Sequence, residues 1–183
     1  VGDATTGVKI WGAQLEQKSA PSSLIFTTSA SVARAGDSWS IPVTAFPFNN
    51  NHGSIYYSGA LNSYYMTTST GFREFLKLYY DTGNFIELRA GLLIGGVDLY
   101  SKVAGVSVVD TGSFNVGDSN FNGAFRYEEN NYAFTANGAT PFNDTVASVP
   151  EVGFVFFASG QHVKHFAYFP TALPDTQLQA ITL

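Results

Sequence analysis

Short runs of alternating apolar and polar residues, each closed by Gly, Asn or Asp, recur along this chain at about 8–12-residue spacing. That punctuation leaves room for strands and little else. In Asn131–Asn137, Tyr132, Phe134 and Ala136 fall on one side, and Ala133, Thr135 and Asn137 on the other. In Arg73–Asp81, Phe75, Lys77 and Tyr79 oppose Glu74, Leu76, Leu78 and Tyr80. A period of two puts one face of each strand into a core and turns the other toward solvent or a second sheet. The strongest hairpin signal is Glu74–Tyr80 and Asn84–Ala90 around Asp81-Thr82-Gly83. Val97–Val103 and Val106–Asp110 pair across Ala104-Gly105, and Ala124–Glu128 and Tyr132–Ala136 flank Glu129-Asn130-Asn131. Val152–Ala158 and Val163–Phe169 flank Ser159-Gly160. Trp39–Ala45 is a further strand, with Pro42 marking an edge or a bulge. Val8–Glu16 reads as a strand and Leu24–Ala35 as an extended crossover. The expected fold is an all-β, antiparallel β-sandwich of roughly ten to twelve strands. One short helix closes it at Pro174–Ile181, where Pro and Asp175 suit a first turn and Leu178 and Ile181 share a face.

Composition narrows the function classes. Charged residues are 13% of the 183, hydrophobic residues 45% and aromatics 15%, the reverse of a disordered chain. The formal net charge is −5, and the nine Lys and Arg are scattered, so no basic stripe exists to neutralise phosphates and nucleic acid is excluded as a partner. With no cysteine there are no disulfides, thiolate metal sites or thiol nucleophiles. The longest apolar runs, around Ala90–Val97 and Val152–Ala158, have buried-strand length, far below the ~18 residues of a membrane helix, so no membrane insertion is expected. The opening Val-Gly-Asp-Ala-Thr-Thr-Gly has neither Met nor a leader's basic and apolar regions, and reads as an internal point of a longer protein.

Few residues are arranged for chemistry. A sandwich glycosidase needs two carboxylates on one strand face, and no Asp or Glu set at alternate positions supplies them; Glu128 and Glu129 are adjacent and belong to a turn. His162 and His165 lie three apart, on opposite sides of a strand, and with His52 read as solvated or hydrogen-bonded rather than metal-bound. No catalytic residue is therefore expected. Asp118, Asn120 and Asn122, then Gly123 and Glu129, match the spacing of a calcium loop. The surrounding sequence is strand-like rather than helical, and Arg126 occupies the ninth position, so a polar turn competes with a Ca²⁺ site. Otherwise no cofactor is indicated. For a neutral ligand such as sugar, which binds by ring stacking and amide hydrogen bonds, the candidates are Asn50 and Asn51 with Tyr56, Tyr57, Tyr64 and Tyr65. An oligomer interface would use the same tyrosines.

Two segments carry a family resemblance. The first is Ile10-Trp11-Gly12-Ala13-Gln14-Leu15-Glu16, then Pro21-Ser22-Ser23-Leu24-Ile25 and Thr27-Thr28, closing on Arg34-Ala35-Gly36-Asp37. It resembles the "WGAQLE…PTSYIPT…TRAAD" linker of bacteriophage tail fibre and tailspike proteins, which joins a carbohydrate-binding-module-like jelly roll to a concanavalin A-like (LamG-like) domain. The second is Phe166-Ala167-Tyr168-Phe169-Pro170, Leu173-Pro174-Asp175 and Leu178-Gln179-Ala180-Ile181-Thr182, similar to the "LAYYPRRLSDAELQALT" ending of those domains. Between them, Gly123–Tyr127 and Tyr132–Gly138 are similar to the family's "VAAAY…DFALSVNG" hairpin, while Phe46–Gly117 departs from the pattern. The resemblance implies an upstream end strand and linker over residues 1–37 and a concanavalin A-like jelly roll over 38–183. It implies a non-enzymatic virion protein, a tail fibre or receptor-binding domain that attaches to host surface polysaccharide. Trimers are usual among such fibres, so a homo-oligomer and other virion proteins are the expected partners. The alternative is a purely structural virion module, a tail spacer or capsid decoration protein, without a ligand of its own.

Overall fold

Alternation and turn chemistry give twelve strands among the residues described by the computed structural model, which are 39–61, 73–90, 95–117, 120–158 and 161–183. All of them lie in the unit Asp37–Leu183. In chain order they are β1 (Trp39–Pro42), β2 (His52–Leu61), β3 (Arg73–Asp81), β4 (Asn84–Ala90), β5 (Gly96–Val103), β6 (Val106–Asp110), β7 (Phe114–Asn115), β8 (Asn120–Glu128), β9 (Tyr132–Ala136), β10 (Phe142–Asp144), β11 (Phe154–Phe157) and β12 (Gln161–Phe169), followed by one helix, α1 (Asp175–Ile181). One sheet of seven strands runs β1-β11-β3-β4-β5-β6, with β7 also on β5; a second of five runs β10-β9-β8-β2-β12. Every pairing is antiparallel. The chain is an all-β antiparallel sandwich with a short C-terminal helix, as the alternation predicts.

The expected hairpins β3–β4, β5–β6 and β8–β9 form. At the β5–β6 turn Ala104 and Gly105 both have positive φ, 49° and 82°. Positive φ at both central residues gives a tight hairpin turn the same twist as its strands. Pro42 ends β1, the outermost strand of this sheet among the described residues, a position that tolerates its missing N–H. The strand stops there, and Val43–Ala45 continues as a 3-10 turn instead of more strand.

Two expectations from local pattern are corrected by pairing. Val152–Ala158 and Val163–Phe169 do not face each other: β11 lies between β1 and β3, whereas β12 pairs with β2 in the other sheet. Phe75 does not share a face with Lys77 and Tyr79. The β3–β4 register shifts between Glu74 and Leu76, and this bulge turns Phe75 inward beside Leu76 and Leu78. There its ring meets those of Tyr57 and Phe121 from the opposite sheet. The strand expected at Val8–Glu16, the crossover at Leu24–Ala35 and the boundary at 37 fall outside the described residues.

The main core fills the space between the sheets. Leu76, Leu78, Ile86, Leu88, Leu99, Val155 and Phe157 come from the larger sheet, and Ile55, Tyr57, Phe125, Tyr127 and Phe134 from the smaller. A second, smaller core lies on the other face of the five-stranded sheet, where Leu178 of α1 packs on Ala124 and Ala133 with Tyr56, Leu173 and Ile181 around it. Arg126 fixes the helix there. Its guanidinium donates to Asp175, to Asn143 Oδ1 (2.7 Å) and to the Leu173 carbonyl (3.2 Å). The cation that weighs against calcium in the sequence is thus a clasp for the C-terminal segment.

Gly53 is required by a close approach. A Cβ there would sit 2.7 Å from Tyr127 Oη and 2.9 Å from Cζ. Tyr127 cannot retreat freely, because its hydroxyl donates to the Asn49 carbonyl at 2.7 Å. Gly53→Ala is expected to destabilise the fold by about 1–3 kcal/mol through overpacking, read as a lower urea midpoint with unchanged slope. An unchanged midpoint would mean that β2 and β8 separate without cost.

Candidate functional site

The register places a row of large and charged side chains on the outer face of the seven-stranded sheet. In β4, Ile86, Leu88 and Ala90 point into the core, so Phe85, Glu87 and Arg89 point out. Pairing extends this across the strands. Pro42, Phe154, Tyr79, Phe85 and Lys102 form one cross-strand row. Ser40, Phe156, Lys77, Glu87, Tyr100 and Asp110 form the next, and Glu74, Arg89 and Asp98 the third.

The charges on this face are held in fixed pairs. Arg89 Nε and Nη2 donate to the two oxygens of Asp98 at 3.0 and 3.2 Å, a planar two-point contact. Arg89 Nη2 also lies 3.8 Å from Asp110, and its guanidinium sits 4.0 Å over the Tyr100 ring. Lys77 Nζ bridges Glu74 (2.7 Å) and Glu87 (3.2 Å) while lying 4.1 Å above the Phe85 ring. Lys102 Nζ is near the rings of Phe85 and Tyr100. Burial raises the Glu87 carboxyl above the usual range, and the charge of Lys77 only partly offsets it. Burial likewise raises Asp98 against the hydrogen bond and charge of Arg89. For Lys77 burial works against the charged form, but its bonds to Glu74 and Glu87 and their charges outweigh that and leave its pKa raised. At the β11 end the face changes character: Phe154 is 47% exposed, next to half-buried Tyr79. Exposed ring surface here can stack on the C–H face of a polar, non-aromatic ligand, while the buried ion pairs beside it hold the face rigid.

The residues singled out from sequence are dispersed. Asn50 and Asn51 are exposed in the loop before β2, where the Asn51 N–H caps back onto Asn49 Oδ1. Tyr56 and Tyr57 are neighbours on one strand and so face opposite ways. Tyr57 is fully buried against Phe75 and Phe121, which removes it from the ligand candidates. Tyr56 packs beneath α1 and donates to Asn122 Oδ1 at 3.2 Å, a supporting role for the C-terminal segment. Tyr64 and Tyr65 lie outside the described residues.

The calcium set is likewise corrected. Asp118 lies outside the described residues, and Asn120–Glu128 is one extended strand. At ~3.3 Å per residue, Asn120 and Glu129 are roughly 30 Å apart and cannot wrap one cation. Asn120 instead accepts from Lys164 Nζ at 2.8 Å, and the Asn122 N–H donates to Asn137 Oδ1 at 2.9 Å. His52 Nε2 is 3.1 Å from Asn49 Nδ2, and His165 is exposed. The outer-face set was missed although its signal was present. Phe85-x-Glu87-x-Arg89 and Asp98-x-Tyr100-x-Lys102 place a charge or ring at every second position of otherwise apolar strands.

No family model matches the chain, and no curated protein matches it in sequence. Solved structures do match in fold. The carbohydrate-binding module CBM40 of a Ruminococcus gnavus IT-sialidase, solved with α2,3 sialyllactose, is similar over 73% of this chain and 83% of its own, with a TM-score of 0.55 and 15% identity. The binding domain of Botulinum neurotoxin serotype D is similar over 81% of this chain and 40% of its own (TM-score 0.59, 9% identity). A mutant Trypanosoma rangeli sialidase displaying trans-sialidase activity is similar over 71% of this chain, which spans only 22% of that enzyme (TM-score 0.51, 11% identity). The strand order, the core and these likenesses together give one conclusion: the fold is an antiparallel jelly-roll β-sandwich.

Proposed function

We propose that this chain is a non-enzymatic receptor-binding domain of a bacteriophage tail fibre, which attaches to host surface polysaccharide through the outer face of its seven-stranded sheet. The observation that carries the reading is exposed Phe154 on a face held rigid by the buried network of Lys77, Glu87, Arg89 and Asp98. A face already fixed by ion pairs loses little side-chain freedom at the moment of binding. The tail-fibre context rests on the linker and C-terminal motifs. The lack of catalysis is supported by the commitment of Glu87 and Asp98, the buried carboxylates among the described residues, to cations, because a glycosidase needs one of its pair protonated and the other free to attack or activate water. Several such sites in a homo-oligomer, a trimer in this reading, would add weak contacts through avidity on a virion surface.

The test is a glycan array of bacterial surface polysaccharides, probed with the labelled protein in its native oligomeric state, with each spot duplicated after periodate oxidation. Saturable binding that oxidation abolishes is expected. Phe154→Ala should weaken it by about tenfold, the scale of one lost stacking contact. Absence of binding by an intact oligomer would instead support the structural reading, in which the aromatic surface is an assembly interface with other virion proteins. Cleavage of a bound polysaccharide, abolished by changing one acidic residue, would overturn the non-enzymatic assignment.

A further inference from the structure

Helix α1 covers only part of the outer face of the five-stranded sheet. Arg126 clasps its start, Ala124 lies under its middle, and past its end the Leu183 carbonyl oxygen accepts from Asn122 Nδ2 at 3.5 Å. Beyond Asn122 the register lays out a polar row. His165 of β12 stands opposite Ser58 of β2, and Ser58 opposite Asn122 of β8. Asn120 follows on the same face of β8, and Lys164 reaches it from the bulge in β12. Asn120, Lys164 and His165 are exposed.

The side-chain oxygens of the two asparagines are already used, and most of the donors in the row are not. Asn120 Oδ1 accepts from Lys164 Nζ at 2.8 Å, and Asn122 Oδ1 from Tyr56 Oη at 3.2 Å. Lysine can only donate, so the Asn120 amide must turn its oxygen to Lys164 and leave its amino group free to donate. Among the described residues Lys164 forms no ion pair, and the Asn120 amino group, the His165 ring and the Ser58 hydroxyl have no hydrogen-bond partner. No Asp or Glu side chain is hydrogen-bonded to any of these groups. Ser58 is 7% exposed, yet its Oγ is not sealed from solvent. A hydroxyl so enclosed and left without a protein partner is one that a ligand atom can reach and pair.

We infer that this row is a second binding site, separate from the ring surface at Phe154, and that it takes an oxyanion, the carboxylate of an acidic sugar or a phosphate group. Lys164 supplies the charge, and Asn120 Nδ2 and Ser58 Oγ supply directed hydrogen bonds from either side, with the His165 ring beside them. A surface with donors to spare and its amide oxygens spent fits an oxyanion, which only accepts, better than a neutral sugar, whose hydroxyls must also donate. Because Lys164 is exposed, the attraction is screened, and affinity falls as salt rises. The site goes beyond the glycan-binding reading of the seven-stranded sheet and does not depend on it.

The experiment is an amide NMR titration of the intact protein with sodium glucuronate, inorganic phosphate and, as the uncharged control, glucose, at low and high salt. Glucuronate, phosphate or both should shift the amides of Ser58, Asn120, Asn122 and His165 saturably, more weakly at high salt, while glucose leaves them in place. Lys164→Gln should weaken that binding by about tenfold, the scale of one charge-assisted hydrogen bond. Ser58→Ala should weaken it too while keeping the wild-type urea midpoint, and Phe154→Ala should leave it unchanged. A response to glucuronate alone identifies an acidic sugar as the ligand, and one to phosphate alone a phosphate-bearing group. Equal shifts with glucose, or binding indifferent to Lys164→Gln, would overturn the oxyanion assignment. No shift of these amides with either anion would overturn the site itself and leave the reading at Phe154 standing.

Discussion

Above about pH 10 the protein loses roughly 4 kcal/mol of stability per pH unit, a steep alkaline unfolding. The cause is three phenols locked in the sandwich. Tyr57, Tyr127 and Tyr132 have pKa values raised far beyond the ordinary tyrosine range, in each case chiefly by burial. Tyr127 and Tyr132 also donate to main-chain carbonyls, of Asn49 and Ser148, which offer a phenolate nothing favourable. In the unfolded chain these groups ionise near pH 10, and in the folded chain they stay protonated well above it. A raised folded pKa means that the contribution is complete below the unfolded value and is lost as pH rises toward the folded one. Each phenol thus costs about 1.4 kcal/mol per unit above pH 10, and three cost roughly 4. Lys77, also raised, adds to the slope with the same sign. Urea midpoints from about pH 8 to about pH 12, read beside tyrosinate absorbance, test this. Unfolding should release the three protons together, and Tyr57→Phe should remove about a third of the tyrosine slope. Ionisation of all the tyrosines in a still-folded protein would disprove it.

Arg89→Met is expected to destabilise the protein by about 3–5 kcal/mol, because it strands Asp98 as a buried charge without its main counter-ion. Asp98 is 3% exposed, and burial already raises its pKa with Arg89 present. Without the guanidinium that rise grows, and the variant should recover stability as pH falls through the raised Asp98 value, where the folded form takes up a proton. The double variant Arg89→Met/Asp98→Leu should regain most of the loss, since an apolar pair of similar volume leaves no charge to desolvate. Urea unfolding of the wild type, both single variants and the double variant gives the coupling energy directly. Equal losses in the single and double variants would show that Arg89 acts through packing on Tyr100 rather than through Asp98.

Local pattern and tertiary pairing divide this protein cleanly. The hairpins around Asp81-Thr82-Gly83 and Ala104-Gly105, the edge position of Pro42 and the final helix all follow from residues close in sequence. Backbone geometry at a turn, a missing N–H and a first-turn carboxylate act over a few residues, so the sequence displays them directly. The shortest strands, β7 and β10, escape such reading, because two or three residues show no period and take their extended form from β5 and β9.

The ligand candidates fared differently for the same reason. Adjacent tyrosines such as Tyr56 and Tyr57 look alike in sequence, yet strand alternation sends one beneath α1 and the other into the core. The calcium pattern at Asn120, Asn122 and Glu129 is a true spacing, but a loop and a strand can share it, and pairing with β2 and β9 makes it a strand. The outer-face network needs Lys77 from β3, Glu87 and Arg89 from β4 and Asp98 from β5, which only lateral register brings together.

The sequence by itself determined that this chain is an antiparallel sandwich, where most of its strands turn, and that it closes on a helix. Tertiary structure alone decided which sheet receives β11 and which receives β12, that a bulge turns Phe75 inward, and that Lys77, Glu87, Arg89 and Asp98 meet as ion pairs on one face. The physical reason is range. Turn and cap energies are local, whereas register and burial are set by partners far along the chain, whose identity no short window of residues contains.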